Sequence, residues 1–244
     1  MIPALPHRYR RHGGLFAALL LASVLPTLLV AGRVAHTGRL TYAFLVFNLG
    51  LAWIPVAFAA AASSFGAWRS RPGRALAALC AAGWLVFFPN APYLLTDLMH
   101  LRVQGNRLFW LDIIALSSFA WTGLALGFVS LYYMQRLAAD WFGRALSWVF
   151  AAATIAASAF GIYLGRFRRW NSWDVVRNPD DLLLDVARTL LHPFANAEVM
   201  AFCAVLTTFL FAAYLVLYAW THVGDEPPSP ASEVAAPPGP RRSP

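Results

Sequence analysis

The sequence contains no lysine, few charged residues of either sign and only two cysteines. Charged residues make up 12% of the chain, about half of what soluble domains carry, so the polar surface is too small for a soluble globular protein. Cys80 and Cys203 occur singly inside apolar runs, without the spacing of a metal site or of a disulfide framework. We expect both to be buried packing residues.

Familiar catalytic signatures are also missing. The sequence has no glycine-rich phosphate loop, no H-E-x-x-H motif and no G-x-S-x-G motif, and it leaves the question of a cofactor or metal open. Its formal charge of +8 comes from arginines that flank apolar runs, where cations meet lipid phosphates. Because no basic face belongs to a soluble domain, we expect a lipid bilayer as the partner and no nucleic acid.

Long apolar runs are what the sequence has in abundance, and 59% of its residues are hydrophobic. A bilayer core of about 30 Å needs about 20 apolar residues in a helix, and six runs reach or approach that length. They are Leu15–Gly32, Tyr42–Ala62, Ala75–Tyr93, Phe109–Tyr133, Ala145–Leu164 and Ala197–Trp220. Because no alternating pattern favours a barrel, we predict an all-α, polytopic membrane helix bundle with about six transmembrane helices.

The chain divides into a basic N-terminal segment (1–13), one transmembrane bundle domain (14–223) and a proline-rich tail (224–244) that we expect to be disordered. An alternative for the first run is a cleaved signal peptide, but the run is long and lacks a convincing cleavage site, so we expect a retained helix. Arginines are near parity on the two sides of the bundle, which leaves the orientation undecided; the first helix favours a cytoplasmic N-terminus.

The segment "FPNAPYLLTDLMHL" (88–101) interrupts the third run with two prolines. The stretch from Ala75 to Phe88 would span only about 21 Å as a helix, less than the bilayer core of about 30 Å. Pro89 and Pro92 disfavour helical geometry at the residues before them, so we predict a broken third helix near Pro89–Pro92, with Asn90 bonding the loosened backbone. The alternative is a simple helix end at the headgroups.

A short helical turn is expected to follow at Leu94–Leu101, with Thr96 as its cap. Asp97 and His100 are three residues apart, which places both on one helical face. Such a pair can share a proton or bind a metal ion. The alternative is a solvated aspartate beside an interfacial histidine.

A second polar segment, "GRFRRWNSWDVVRNP" (165–179), follows the fifth run. Arginine and tryptophan are common membrane anchors, but that role does not explain the interspersed Asn171, Ser172 and Asp174. In a six-helix topology this segment lies on the same side as 88–101, so the two can meet, and Asp112 lies at the same level. We predict Asp97, His100 and Asp174 as catalytic residues, and as substrate-binding residues Asn90, Asp112, Arg166, Arg169, Trp170, Asn171 and Trp173.

The following segment, "NPDDLLLDVARTLLHPF" (178–194), predicts a short amphipathic interfacial helix near 179–191. Asn178 is the expected cap and Pro179 the first helical residue. The polar stripe of this helix is expected to be a solvated face; it comprises Asp181, Asp185, Arg188 and His192.

The segments "FFPNAPYLLTDLMHL", "SFAWTGLALGFVSLYYMQ" and "GIYLGRFRRWNSWDVVRNP" resemble the signature segments of the domain of unknown function 1361 (DUF1361) family. The resemblance covers roughly 40–191. It implies a multi-pass protein of a bacterial inner membrane, and it supplies no activity, substrate or cofactor.

Three functions remain open at this point. The first is a membrane enzyme or lipid-handling protein, in which the arginines hold an anionic lipid or lipid-linked group and Asp97 and His100 carry out acid–base or metal chemistry. The second is a small-molecule transporter, against which counts the lack of a charged residue at the centre of any span. The third is a non-catalytic assembly or partner-binding protein.

Overall fold

The computed structural model describes residues 7–68, 70–101 and 108–222, and within these ranges every regular element is helical. The predicted tail (224–244) and the first six residues of the predicted N-terminal segment lie outside these ranges. The helices are α1 (His7–Thr37), α2 (Ala43–Gly66), α3 (Arg71–Phe87), α4 (Asn90–Thr96), a 3-10 turn (Asp97–His100), α5 (Phe109–Phe142), α6 (Arg144–Phe167), α7 (Asp174–Arg177), α8 (Pro179–Leu191) and α9 (Ala197–His222).

Six stretches are long and apolar enough to cross a membrane: α1 from Gly13, α2, the α3–α4 segment through the 3-10 turn, α5, α6 and α9. The protein is therefore the polytopic helix bundle that the sequence predicts. The short helix α8 coincides with the predicted interfacial helix, although the side chain of Asn178 makes no capping hydrogen bond.

Helix α5 lies at the centre of the bundle. Its apolar window is 61% buried, against 17% for the outer helices α1 and α9, and it packs against α1, α2, α4, α6 and α9. Because lipid is as apolar as a leucine side chain, close packing and interhelical hydrogen bonds have to hold these helices together. One such bond joins Trp84 Nε1 of α3 to Ser130 Oγ of α5, at 3.1 Å.

The third span is interrupted at Phe88–Pro89, as predicted, but the predicted loss of helical geometry is wrong. Phe88 has φ −53° and ψ −40°, and Ala91 lies inside α4. Proline disfavours helical geometry at the preceding residue without forbidding it, and the packing of Phe88 on Trp84, with ring centroids 4.8 Å apart, supports the helical conformation here. Pro92 lies in the first turn of α4, where a backbone N–H would have no partner within the helix.

Helix α4 is held closely by glycines of its neighbours. A Cβ atom on Gly123 of α5 would lie 2.5 Å from the carbonyl oxygen of Ala91, and one on Gly161 of α6 would lie 2.9 Å from Pro89 Cγ. Only a residue without a side chain permits such contacts, which are typical of tightly packed membrane helices. The interrupted segment therefore fits into a slot between α5 and α6.

Candidate functional site

The polar residues gather at the end of the bundle where α1, the α4 segment and α6 end and where α2, α5 and α9 begin, which we call the site face. Hydrogen bonds between distant segments of the chain join these helix ends. Arg166 on the last turn of α6 contacts Thr96 on α4, and Asn48 of α2 contacts Asp97 in the 3-10 turn. The two polar segments of the sequence therefore meet, as their shared side of the membrane predicts.

Arg166 is the centre of the first cluster. Its Nε and Nη2 atoms donate to Thr96 Oγ1 at 3.1 and 2.8 Å, and Nη2 also donates to the Asp97 carboxylate. Its guanidinium carbon lies 4.1 Å from the centre of the Tyr93 ring, a cation–π contact. Thr96 thus binds Arg166 and does not cap the following turn, contrary to the prediction.

Asp97 is only 1% exposed, and both of its carboxylate oxygens have partners. Oδ1 accepts from Arg166, and Oδ2 accepts from Asn48 Nδ2 at 3.0 Å. Burial of a carboxylate is costly unless a cation and further hydrogen bonds satisfy it, and this carboxylate has both. Asp97 is therefore a charge neutralised within the protein.

His100 lies beside this pair, as its spacing predicts: His100 Nε2 is 3.9 Å from Asp97 Oδ1. The same nitrogen is 3.2 Å from Arg166 Nη1, and since arginine can only donate, Nε2 has to accept in a hydrogen bond between them. A metal ion at Asp97 and His100 would be repelled by the guanidinium bonded to that carboxylate. Among the residues that the structure describes, His, Cys, Asp and Glu form no group of three or more that could hold a metal.

Asn90 makes the second link between the two polar segments. Its Nδ2 donates to the carbonyl oxygen of Phe87 and to Ser172 Oγ, each at 3.0 Å. The first bond satisfies a carbonyl at the proline interruption, as predicted for Asn90. The second ties that interruption to the segment that follows α6.

Asp185 joins α8 to the same segment. Its carboxylate accepts from Arg168 Nε and Trp170 Nε1, both at 2.8 Å, and from Arg168 Nη2. The prediction of a solvated polar stripe is therefore wrong for Asp185, which is buried. The hydrogen bond from Arg168 chiefly holds the pKa of Asp185 below its ordinary value, against the opposing effect of burial.

Other predicted site residues lie apart from these contacts. Asp174 accepts from the backbone N–H of Asn171 at 2.8 Å and closes a local turn. Arg169 is exposed, has a positive φ of 63° and forms no hydrogen bond or ion pair with any described residue.

Asp112 belongs to a neighbouring cluster. This buried carboxylate accepts from Arg33 of α1 at 2.6 and 3.2 Å. Arg33 lies over the ring of Tyr42, and the hydroxyl of Tyr42 donates to the carbonyl oxygen of His100 at 3.2 Å. Tyr42 therefore links the Arg33–Asp112 pair to the Arg166 cluster.

A cavity of about 200 Å³ lies between α2, α3, α4, α6 and the segment that follows α6. Four predicted binding residues line it: Asn90, Trp170, Asn171 and Trp173. Further lining residues are Asn48, Tyr93, Ser172 and Leu182. Arg166 and Arg169 are not among the described residues that line the cavity.

Sequence reasoning missed several contributors to the site. Asn48 stands out as a polar residue within an apolar run, but its partner depends on how the third span is broken. Asp185 and Arg168 are 17 residues apart, too far for any helical spacing to connect them. One sequence signal could have pointed to the pairing of Asp185: its carboxylate follows three leucines in α8. Burial of a carboxylate among apolar side chains is unfavourable unless a cation lies near it.

These observations define the class of protein, which is an integral membrane helix bundle with a polar, aromatic cavity at one face. A model of the family described as "Protein of unknown function (DUF1361)" matches residues 47–213. The chain belongs to this family, and the matched range contains every described residue that lines the cavity. No curated protein and no solved structure matches the chain.

Replacing Asp185 with asparagine will loosen α8, because the hydrogen-bonded ion pair with Arg168 is lost. We expect faster amide hydrogen exchange in residues 179–191 at pH 7, measured by mass spectrometry. Since the folded pKa of Asp185 is lowered, wild-type α8 keeps this stabilisation above the ordinary carboxyl pKa of about 4 and loses it as the pH falls through the lower folded value. The exposed Asp181→Asn is the matched control, and equal exchange in the two variants would contradict the role of Asp185.

Proposed function

We propose that this protein binds a lipid or lipid-linked molecule, with the polar head in the cavity at the site face and the acyl part in the bilayer. The observation that carries the proposal is the cavity itself. Its lining combines apolar side chains of membrane-spanning helices, among them Phe47, Leu51 and Val86, with asparagine, serine and tryptophan side chains. An amphipathic ligand at the membrane boundary matches such a mixed lining.

The interfacial helix α8 supports the same proposal. Leu182 of α8 contributes to the cavity lining, while Leu183 and Leu190 on the same helix are exposed. Exposed leucines on an amphipathic helix next to membrane spans insert into the boundary between headgroups and acyl chains. A lipid beside α8 therefore lies next to the cavity.

The resemblance of the signature segments to a bacterial family leads us to place the protein in a bacterial inner membrane as part of this proposal. Binding is better supported than catalysis, because both carboxylate oxygens of Asp97 are engaged within the protein. Arg166 and Arg168 already pair with carboxylates, which makes these two arginines poor partners for an anionic head.

A second candidate is a platform for a partner protein. The observation that favours it is that the arginines and aspartates of the site face pair with one another within the chain. Such pairing gives a rigid surface. The two candidates differ in whether the cavity is occupied by lipid.

Photo-crosslinking tests lipid binding. The protein is placed in phosphatidylcholine nanodiscs with a diacyl lipid whose photoreactive group lies next to the head, and crosslinked peptides are mapped by mass spectrometry. We expect enrichment in peptides that contain Asn90 and Ser172. Ser172→Phe, which places a phenyl ring in the cavity, should abolish that enrichment, whereas Ser117→Phe, at an exposed position on α5, should not. Uniform labelling that Ser172→Phe leaves unchanged would contradict lipid binding and favour the platform.

A further inference from the structure

The amides of Asn48 and Asn90 have fixed orientations. Asn48 faces Asp97 Oδ2, which is an acceptor, and Asn90 faces the carbonyl oxygen of Phe87, which is also an acceptor. Each side chain must therefore present its NH₂ group to the protein. The carbonyl oxygen of each amide is the atom left for another partner.

Both of these oxygens remain accessible. Neither accepts a hydrogen bond from a described residue, and neither is among the fully buried side-chain atoms without a partner, which in the described part of the chain are Arg33 Nη1 and Ser158 Oγ. Asn48 and Asn90 both line the cavity. The cavity therefore offers two amide oxygens that can accept hydrogen bonds from a ligand.

The charges around the cavity disfavour a charged ligand. An anion would meet amide oxygens, while the nearby cations Arg166 and Arg168 are already bonded to carboxylates. A cation would lie close to Arg166, whose guanidinium carbon is 4.1 Å from the centre of the Tyr93 ring that lines the cavity. The exposed Arg169 is not among the described residues that line the cavity, and none of those residues is charged. Accessible acceptors in such a lining favour a neutral group that donates hydrogen bonds.

The volume of the cavity and its aromatic side chains narrow the chemical class of the ligand further. The cavity volume of about 200 Å³ is below the roughly 300 Å³ at which drug-sized sites begin, so a small head group suits it. The rings of Tyr93, Trp170 and Trp173 supply apolar surface for the C–H groups of a small ring. The hydroxyl of Ser172 adds a group that can both donate and accept.

We infer that the cavity selects an uncharged, hydroxyl-bearing head the size of a single sugar ring, whose hydroxyls donate to the amide oxygens of Asn48 and Asn90. This inference deepens the proposed function and rests on it. The cavity is too small for a chain of sugars, so the ligand is a lipid with one such ring or the first ring of a lipid-linked saccharide.

Competition among lipids that share the same acyl chains tests which head group the cavity prefers. Protein in phosphatidylcholine nanodiscs carries the photoreactive lipid, and the competitors are a monoglucosyl diacylglycerol, a phosphatidic acid, a trimethylammonium diacyl lipid and diacylglycerol alone. We expect the glucosyl lipid to suppress cavity labelling at about tenfold lower concentration than any of the others, from two additional neutral hydrogen bonds. Preference for a charged lipid, or equal competition by diacylglycerol, would overturn the inference and leave lipid binding standing. Labelling that never localises to the cavity would contradict both the head-group inference and lipid binding in the cavity.

Variants of the two asparagines give a second measurement. Asn48→Leu and Asn90→Leu should each weaken competition by the glucosyl lipid about three- to tenfold, the worth of one net hydrogen bond, and leave the charged lipids unchanged. The matched control is Asn196→Leu, because Asn196 bonds the backbone at the end of α8 and does not line the cavity. An equal effect on every lipid would indicate a structural role for the asparagines, and the head-group specificity would then be wrong.

Discussion

Replacing Arg166 with methionine will lower the free energy of unfolding by about 3–5 kcal/mol, because it leaves the Asp97 carboxylate buried without its cation. Arg166 itself is 10% exposed in its side chain and has four side-chain partners within the site face. The measurement is unfolding of the purified protein in mixed micelles with increasing dodecyl sulfate. Methionine at this position also leaves Thr96 and His100 without the hydrogen bonds that Arg166 donates to them.

Two further variants show whether the unpaired, buried charge of Asp97 causes the loss of stability in Arg166→Met. Arg168→Met removes a guanidinium that is 51% exposed and leaves Asp185 its hydrogen bond from Trp170, so we expect a smaller loss, of about 1 kcal/mol. The double variant Arg166→Met with Asp97→Asn should recover much of the stability of the single variant, since no charge is then left unpaired. Equal losses for Arg166→Met and Arg168→Met would contradict the importance of the buried pair.

Substituting alanine for Gly123 will push α4 away from α5. The added Cβ would lie 2.5 Å from the carbonyl oxygen of Ala91 and 2.8 Å from Leu94 Cβ, and neither atom belongs to the flexible end of a side chain. Overpacking of this kind costs about 1–3 kcal/mol. The same unfolding measurement detects it, and crosslinking at the cavity should fall with it because α4 forms one of the walls.

The control for this substitution is Gly50→Ala on α2. A Cβ atom at Gly50 would have nothing within 4 Å, and we expect a change within about 0.5 kcal/mol. If both alanine variants unfold alike, the close approach of α4 to α5 does not contribute to stability.

Much of the fold could be predicted because it follows from local properties of the chain. The lengths of the apolar runs predict the spans, the prolines predict the interruption, and the leucine pattern predicts α8. Phe88 shows the limit of such reasoning, since its helical geometry is decided by packing on Trp84, which no local rule contains.

The site could be predicted as a meeting of segments but not as a set of pairs. Shared topology brings Asn90 to Ser172 and Asp97 to Arg166. Which arginine neutralises which carboxylate depends on distances between helix ends, so the sequence could not show that Arg168 pairs with Asp185 or that Asp112 pairs with Arg33. Of the two arginines predicted to bind substrate, Arg166 is paired with a carboxylate for this reason, whereas Arg169 forms no ion pair with a described residue.

The glycines that hold α4 also decide which wall of the cavity can open. Pro89 and Ala91 are fixed between Gly161 and Gly123 with no clearance for a Cβ atom, so the wall formed by α4 is rigid. The opposite wall is the segment after α6 together with α8, which are held by the partly exposed pair of Arg168 and Asp185, by the bond from Trp170 to Asp185 and by a hydrogen bond from Asn90. Under the proposed function we therefore expect a lipid to enter by displacement of α8, at a rate set by how often that pair separates.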